Sequence, residues 1–208
     1  MKILLIIGAS LGIIFIVGQF ILLRTTSDIE IYSYKVLKKY DHFEIRKYEE
    51  ANFSYVTMKT GSYQESSGSG FKSLAGYIFG GNEKKESIAM TSPVVVNLNE
   101  PVTMQFMVPS KYKLDDLPKP NNTDVKFKTE KQKFVATISF GGWSNDKKIK
   151  EYTAKLKELL KENQITHFNN FSYFGYNPPF QLLNRRNEIA VEIAINSIPE
   201  LNIEAETN

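Results

Sequence analysis

Two histidines and no cysteine limit the chemistry open to this chain of 208 residues. Iron is ordinarily held by His, Met, Cys or Tyr, so His42, His167 and Met90 are the side chains to weigh first. His42 follows Asp41 in a polar run and reads as solvent-facing. His167 lies just beyond a helical segment and reads as a turn residue. Met90 reads as a filler of an irregular core gap. Two histidines cannot build a multi-His metal centre. The absence of cysteine excludes disulfides, thiolate metal sites and attachment through Cys-x-x-Cys-His. Asp115-Asp116 sits in a loop, too isolated for paired acid–base work. No Ser-His-Asp order or nucleophile elbow is present. The glycines of Ser66–Gly70 and Gly80-Gly81 lack the lysine or spacing of a phosphate loop. Arg185-Arg186-Asn187-Glu188 reads as a hairpin whose arginine pairs with a buried or rim carboxylate such as Glu44. None of these residues forms a catalytic signature.

The elements that position these residues follow from periodicity. Phe71, Leu74, Ala75 and Ile78 fall at i, i+3, i+4 and i+7 and predict one apolar helix face, ended by Gly80-Gly81. Ile149, Tyr152, Leu156, Leu159 and Leu160 predict a second helix, capped by Ser144 or Asn145 and ended at Asn163. Its lysines and glutamates form a solvated face, with Glu151 and Lys155 as an i,i+4 pair. Alternation at Phe53–Met58, Val102–Val108 and Ile189–Ala194 predicts half-buried strands, and Phe134–Phe140 and Phe171–Tyr176 read likewise. Tyr55–Tyr63 parallels Val135–Trp143, each a strand ending at glycine and an aromatic before a helix. Two β-α-β-β repeats packed as a pseudo-twofold pair are therefore expected, an α+β fold, with Lys111–Asp124 joining the halves. A charge of +3 and a charged fraction of 24% give no concentrated basic face for nucleic acid.

Ile3–Leu23 is an apolar run interrupted only by Ser10 and Gln19. A bilayer core of about 30 Å takes about 20 helical residues, and no small-residue cleavage site follows. Residues 1–24 are therefore expected to be an uncleaved single-pass anchor. Residues 25–33 read as a linker, 34–195 as one domain and 196–208 as a flexible acidic tail. The short N-terminal tail suits a domain outside the cytoplasm.

Several short signatures occur in order. They are Tyr40-Asp41-His42-Phe43-Glu44-Ile45-Arg46-Lys47-Tyr48, Phe71–Asn82, Met90-Thr91-Ser92-Pro93-Val94, Phe140-Gly141-Gly142 and Arg185-Arg186-Asn187-Glu188. Together they resemble the SOUL haem-binding family from about Tyr34 to Ile195. The resemblance implies a distorted antiparallel barrel that binds haem or a related tetrapyrrole without a covalent bond. The implied groove runs along Phe71, Leu74, Ala75 and Ile78, then Tyr176, Pro178 and Phe180, with Arg185 as a substitute cation and His42 as the candidate ligand. Some family members pair haem propionates with basic residues that correspond here to Gly68, Gly76 and Gln181. A propionate without a cation lacks a charge-assisted hydrogen bond. Lys72 on the same helix, Arg185 or Lys84 would have to replace them. The function implied is a membrane-anchored haem carrier or buffer. The alternatives are a module for another planar apolar ligand and a non-catalytic tethered interaction domain.

Overall fold

The computed structural model describes residues 29–59, 62–178 and 181–198. Strands β1 (Tyr34–Lys39), β2 (Glu44–Tyr48), β3 (Ala51–Thr57), β4 (Val94–Asn97), β5 (Thr103–Met107), β6 (Lys126–Glu130), β7 (Lys133–Gly141), β8 (His167–Gly175) and β9 (Arg186–Ile193) form one sheet in the order β1-β2-β7-β9-β8-β4-β5-β3-β6. Every pairing is antiparallel. The order is palindromic about the β4–β8 pair: β5 answers β9, β3 answers β7, and β6 answers β2. Helix α1 (Tyr63–Ile78) lies over β3 and β5, and α2 (Asp146–Glu162) over β7, β8 and β9. The units β3-α1-β4-β5 and β7-α2-β8-β9 thus occupy equivalent places.

The sheet is a curled half-barrel rather than a closed barrel. Strands β1 and β6 are its two edges, and both are lysine-rich: Lys35, Lys38 and Lys39 on one, Lys126 and Lys128 on the other. Charge along an edge disfavours pairing with another strand. It also explains why periodicity left β6 unnoticed, since little apolar alternation survives there.

Local chemistry sets the helix ends. Asn145 caps α2 by accepting from the Lys148 amide at 2.9 Å, and Ser62 caps α1 by accepting from the Glu65 amide at 3.3 Å. Past α1, Gly80 has φ +100°, a region open mainly to glycine. A Cβ on Gly81 would stand 2.4 Å from the Gly76 carbonyl oxygen. The turn is then tied by Asn82, whose amide donates to the carbonyls of Tyr77 and Glu86 at 3.0 and 2.7 Å.

Alternation gives the sheet two different faces. The helix-covered face packs Leu74 and Ile78 of α1 and Ile149, Leu156 and Leu160 of α2 against Met104, Phe106, Ile138, Ile189 and Tyr173. The inner face carries a smaller cluster of Tyr32, Tyr48, Phe53, Val95, Met107, Val135, Phe174 and Ala190. The fold begins earlier than the expected linker boundary. The Tyr32 amide donates to the Ser92 carbonyl and the Ser92 amide to the Glu30 carbonyl, and Tyr32 is buried. The expected tail is likewise held at its start, where Ile198 is buried and the Ser197 hydroxyl accepts from the Thr166 amide. The expected anchor at 1–24 lies outside the described residues. Among the described residues, no helix is long and apolar enough to cross a membrane.

Candidate ligand-binding site

Two signatures 142 residues apart meet on the inner face. Glu44, Arg46 and Tyr48 share one side of β2, and Arg186 and Glu188 share one side of β9, with β7 between them. Glu188 is fully buried and Arg46 nearly so. The Arg46 guanidinium grips Glu188 with two bonds, Nη1 to Oε2 at 2.7 Å and Nη2 to Oε1 at 2.9 Å. Arg186 Nε donates to Oε1 at 2.8 Å, Tyr176 Oη to Oε2 at 2.8 Å and Ser139 Oγ to Oε1 at 3.1 Å. Arg46 also donates to Glu44 at 2.6 Å and to the Tyr48 hydroxyl at 3.0 Å.

Burial alone would raise the Glu188 carboxyl. The Arg46 hydrogen bonds and the charges of Arg46 and Arg186 outweigh it and hold the group below the ordinary carboxylate range. Burial pushes the Tyr48 phenol up to about 12, against the opposing charge of Arg46. A carboxylate saturated by five donors has no lone pair left for a substrate. This cluster braces the fold. The expected arginine–carboxylate pair is there, but it is Arg46 that reaches Glu44, and Glu188 is the hub.

The residues expected around a groove separate on folding. Leu74 and Ile78 point into the core and are sealed. Phe71 is 39% exposed and packs edge-on against Phe106 at 5.3 Å. Ala75 is half-buried. Tyr176 turns to the inner face, bonded to Glu188, with the Arg186 guanidinium 4.1 Å over its ring. Arg185 donates to the carbonyls of Pro178 and Gln181 at 2.8 and 2.7 Å and lies 4.1 Å over the Trp143 ring. Its Nε is buried and has no hydrogen-bond partner among the described residues. Arg185 is therefore a staple for its own loop. Phe180 lies outside the described residues. His42 is exposed in the β1–β2 turn, and four strands lie between β2 and β5 under α1. His167 opens β8, with its ring edge-on to Phe171.

What α1 does present is a nearly bare surface. Residues Ser66-Ser67-Gly68-Ser69-Gly70 run along its first half. A Cβ on Gly68 or on Gly76 would meet nothing within 4 Å. Phe71 and Phe79 stand exposed on or just past this helix, with Lys72 as an exposed cation. The inner face has a different concavity. A shallow cleft of about 70 Å³, open to solvent, is lined in part by Asn97, Gln105, Glu130, Asn170, Ser172 and Glu192 around Phe53 and Phe174. The Tyr32 hydroxyl, on the cleft's lining, has no partner among the described residues. Carboxylates and amides make this cleft a poor host for the face of an apolar macrocycle. Nothing in the periodicity of the chain pointed to it, because its lining comes from seven strands.

The chain matches the SOUL heme-binding protein family over residues 29–192. It is 32% identical over 157 residues to Heme-binding protein 2 of Mus musculus, covering 71% of this chain and 76% of that protein. It is 28% identical over 155 residues to Heme-binding protein 1 of Xenopus laevis, covering 71% of this chain and 81% of that protein. Among solved structures, the EcmrR C-terminal domain is similar with a TM-score of 0.55 at 10% identity, covering 77% of this chain and 98% of that domain. At that identity the likeness is one of fold alone.

Proposed function

The chain belongs to the SOUL heme-binding protein family, and from that premise we propose that it binds haem, non-covalently, on the outer surface of α1 and acts as a membrane-tethered carrier or buffer. The observation that carries the reading is the open ground beside Gly68 and Gly76. A flat macrocycle needs an apolar surface with few obstructing side chains, and α1 offers it beside Phe71, over Gly68 and Gly76. Haem would supply a planar apolar face, an iron and two carboxylates. Phe71 and Ala75 would make the apolar contact, and Lys72 is the cation the helix itself offers a propionate. Four strands separate β2, next to His42, from β5 in the sheet order, and the His167 ring packs edge-on to Phe171, so apolar contact rather than a histidine bond would carry most of the affinity. The apolar run at 3–23 would hold the domain at a membrane, outside the cytoplasm.

A second reading rests on the same helix. With Gly68, Gly76 and Gln181 neutral, the surface also suits a planar apolar ligand without carboxylates. Titrating residues 27–208 with haemin tests the first reading: a saturable Soret change at low micromolar concentration is expected, and its absence would remove haem. Thermal shifts separate the two readings, since a ligand specific to the native state raises its melting temperature. A larger shift with a carboxylate-free porphyrin than with haemin would favour the second.

A further inference from the structure

Among the described residues, seven large apolar side chains are conspicuously exposed. Four of them, Ile31, Trp143, Leu182 and Leu183, gather at one end of the sheet, and this end is also where the chain joins the fold. The backbone at Glu30–Tyr32 is bonded to Ser92. The Ser92 hydroxyl donates to the Tyr176 carbonyl at 3.3 Å, at the base of the loop that carries Leu182 and Leu183. Trp143 follows β7 at the same end, under the Arg185 guanidinium. Lys148 stands beside it, its ammonium donating to the Gly141 carbonyl at 3.2 Å. Trp143 is 52% exposed, Leu183 57% and Leu182 46%.

We infer that this end of the domain docks on the lipid bilayer, with Trp143, Leu182 and Leu183 seated at the headgroup–acyl boundary and Arg185 and Lys148 at the level of the phosphates. The inference rests on the anchoring reading in one respect. If 3–23 spans a membrane, only residues 24–29 separate it from Glu30. Six extended residues reach about 20 Å at most, so this end, and no other, is held against the surface. The composition agrees independently. Tryptophan and arginine are favoured where an apolar body meets a wet, charged layer. Arginine stacked on tryptophan keeps its charge while covering the ring.

Trp143 is the only tryptophan in the chain, so its emission reports this patch alone. The experiment uses the full chain in phosphatidylcholine–phosphatidylglycerol nanodiscs whose acyl chains are brominated near the glycerol. Alkaline extraction of the protein from the same lipids as vesicles reports the anchor separately. The expected result is an unextractable protein whose emission is blue-shifted and largely quenched. Replacing both leucines, Leu182→Ser with Leu183→Ser, should restore most of the emission while the protein stays unextractable. An unextractable wild-type protein with unquenched Trp143 overturns the docking and leaves the anchor standing. An extractable protein that is still quenched removes the anchor and keeps the docking; an extractable, unquenched one removes both. Quenching by added haemin but not by brominated lipid assigns the patch to the tetrapyrrole and overturns the proposal.

Discussion

In the half of the sheet built on β7, β8 and β9, the inner face holds a buried ion cluster and the covering helix α2 carries a charged outer surface. In the half built on β3, β4 and β5, the ions are Lys128 and Glu130 of the edge strand β6, joined by Lys133 from the start of β7, all partly exposed, and α1 has open surface at Gly68 and Gly76. The strand order makes these places equivalent, so topology does not account for the difference. One half carries residues that fix geometry, and the other opens at Gly68 and Gly76, where the proposed ligand would lie. A repeat fold can assign bracing to one copy and binding to the other because each copy already has its own hydrophobic layer.

The sharpest way to break this comparison is to remove the central carboxylate from each half. Glu188→Ala leaves Arg46 buried without its bidentate partner and should destabilise the fold by about 3–5 kcal/mol. Glu130→Ala should cost about 0–1 kcal/mol, the usual worth of a partly exposed pair. Urea melts of the two variants decide it, and equal losses would mean the halves are braced alike. A pH series adds a sign. Glu188 sits below its ordinary 4.5 in the folded state, so its contribution is complete above about pH 4.5 and is lost as pH falls through the lower folded value. Glu188→Gln should therefore flatten the acid side of the stability curve, whereas raising the pH toward neutral should not rescue it.

The second test concerns binding. Gly76→Glu puts an anion on the open surface of α1, and Ala154→Glu puts one on the exposed face of α2. The first should weaken haemin at least about tenfold, worth about 1.4 kcal/mol; the second should leave the titration unchanged. Equal effects would place the ligand away from α1.

Much of this architecture was legible in the chain. The helix stripes fell at the right spacing because apolar burial against a sheet demands it, and the glycine–aromatic strand ends marked the repeat. Glu188 was legible only in part. The hairpin was expected to pair an arginine with a carboxylate such as Glu44, while the arginine that grips Glu188 is Arg46 on β2. The signal available was parity: Glu44, Arg46 and Tyr48 share a strand face, as do Arg186 and Glu188, and charges on a shared face must meet something. The bare side of α1 could be read from Gly68 and Gly76, but the sealing of Leu74 and Ile78 could not. A helical apolar stripe looks the same whether it faces a ligand or a core. The family resemblance implied a groove position for Tyr176, and its bond to Glu188 puts it on the other face.

A smaller effect tests whether the halves are mechanically joined. The two helices begin side by side, and Asp146, in the first turn of α2, accepts from the Ser62 hydroxyl at 3.0 Å and from the Tyr63 and Gln64 amides at 2.8 and 3.3 Å. Its carboxylate thus faces the positive ends of both helix dipoles. Asp146→Ala should destabilise by about 1 kcal/mol. The faster amide exchange should appear in the first turn of α1 as well as in α2. Exchange confined to α2 would show that each helix is capped by its own residues alone.

The smallest change carries the most specific reading of α1. Gly68 sits inside a helix, where glycine is less favourable than alanine by about 0.5–1 kcal/mol. A Cβ there meets nothing within 4 Å, so packing does not require the glycine. Gly68→Ala should therefore raise stability by up to about 1 kcal/mol, read as a higher urea midpoint with an unchanged slope. If the surface is held open for a ligand, the same methyl should do nothing for haemin affinity or reduce it, and a bulkier Gly68→Leu should reduce it further. A residue that lowers stability without serving packing is expected where binding has its own demands. Stabilisation accompanied by unchanged affinity in both variants would mean that the ligand never approaches this turn of α1.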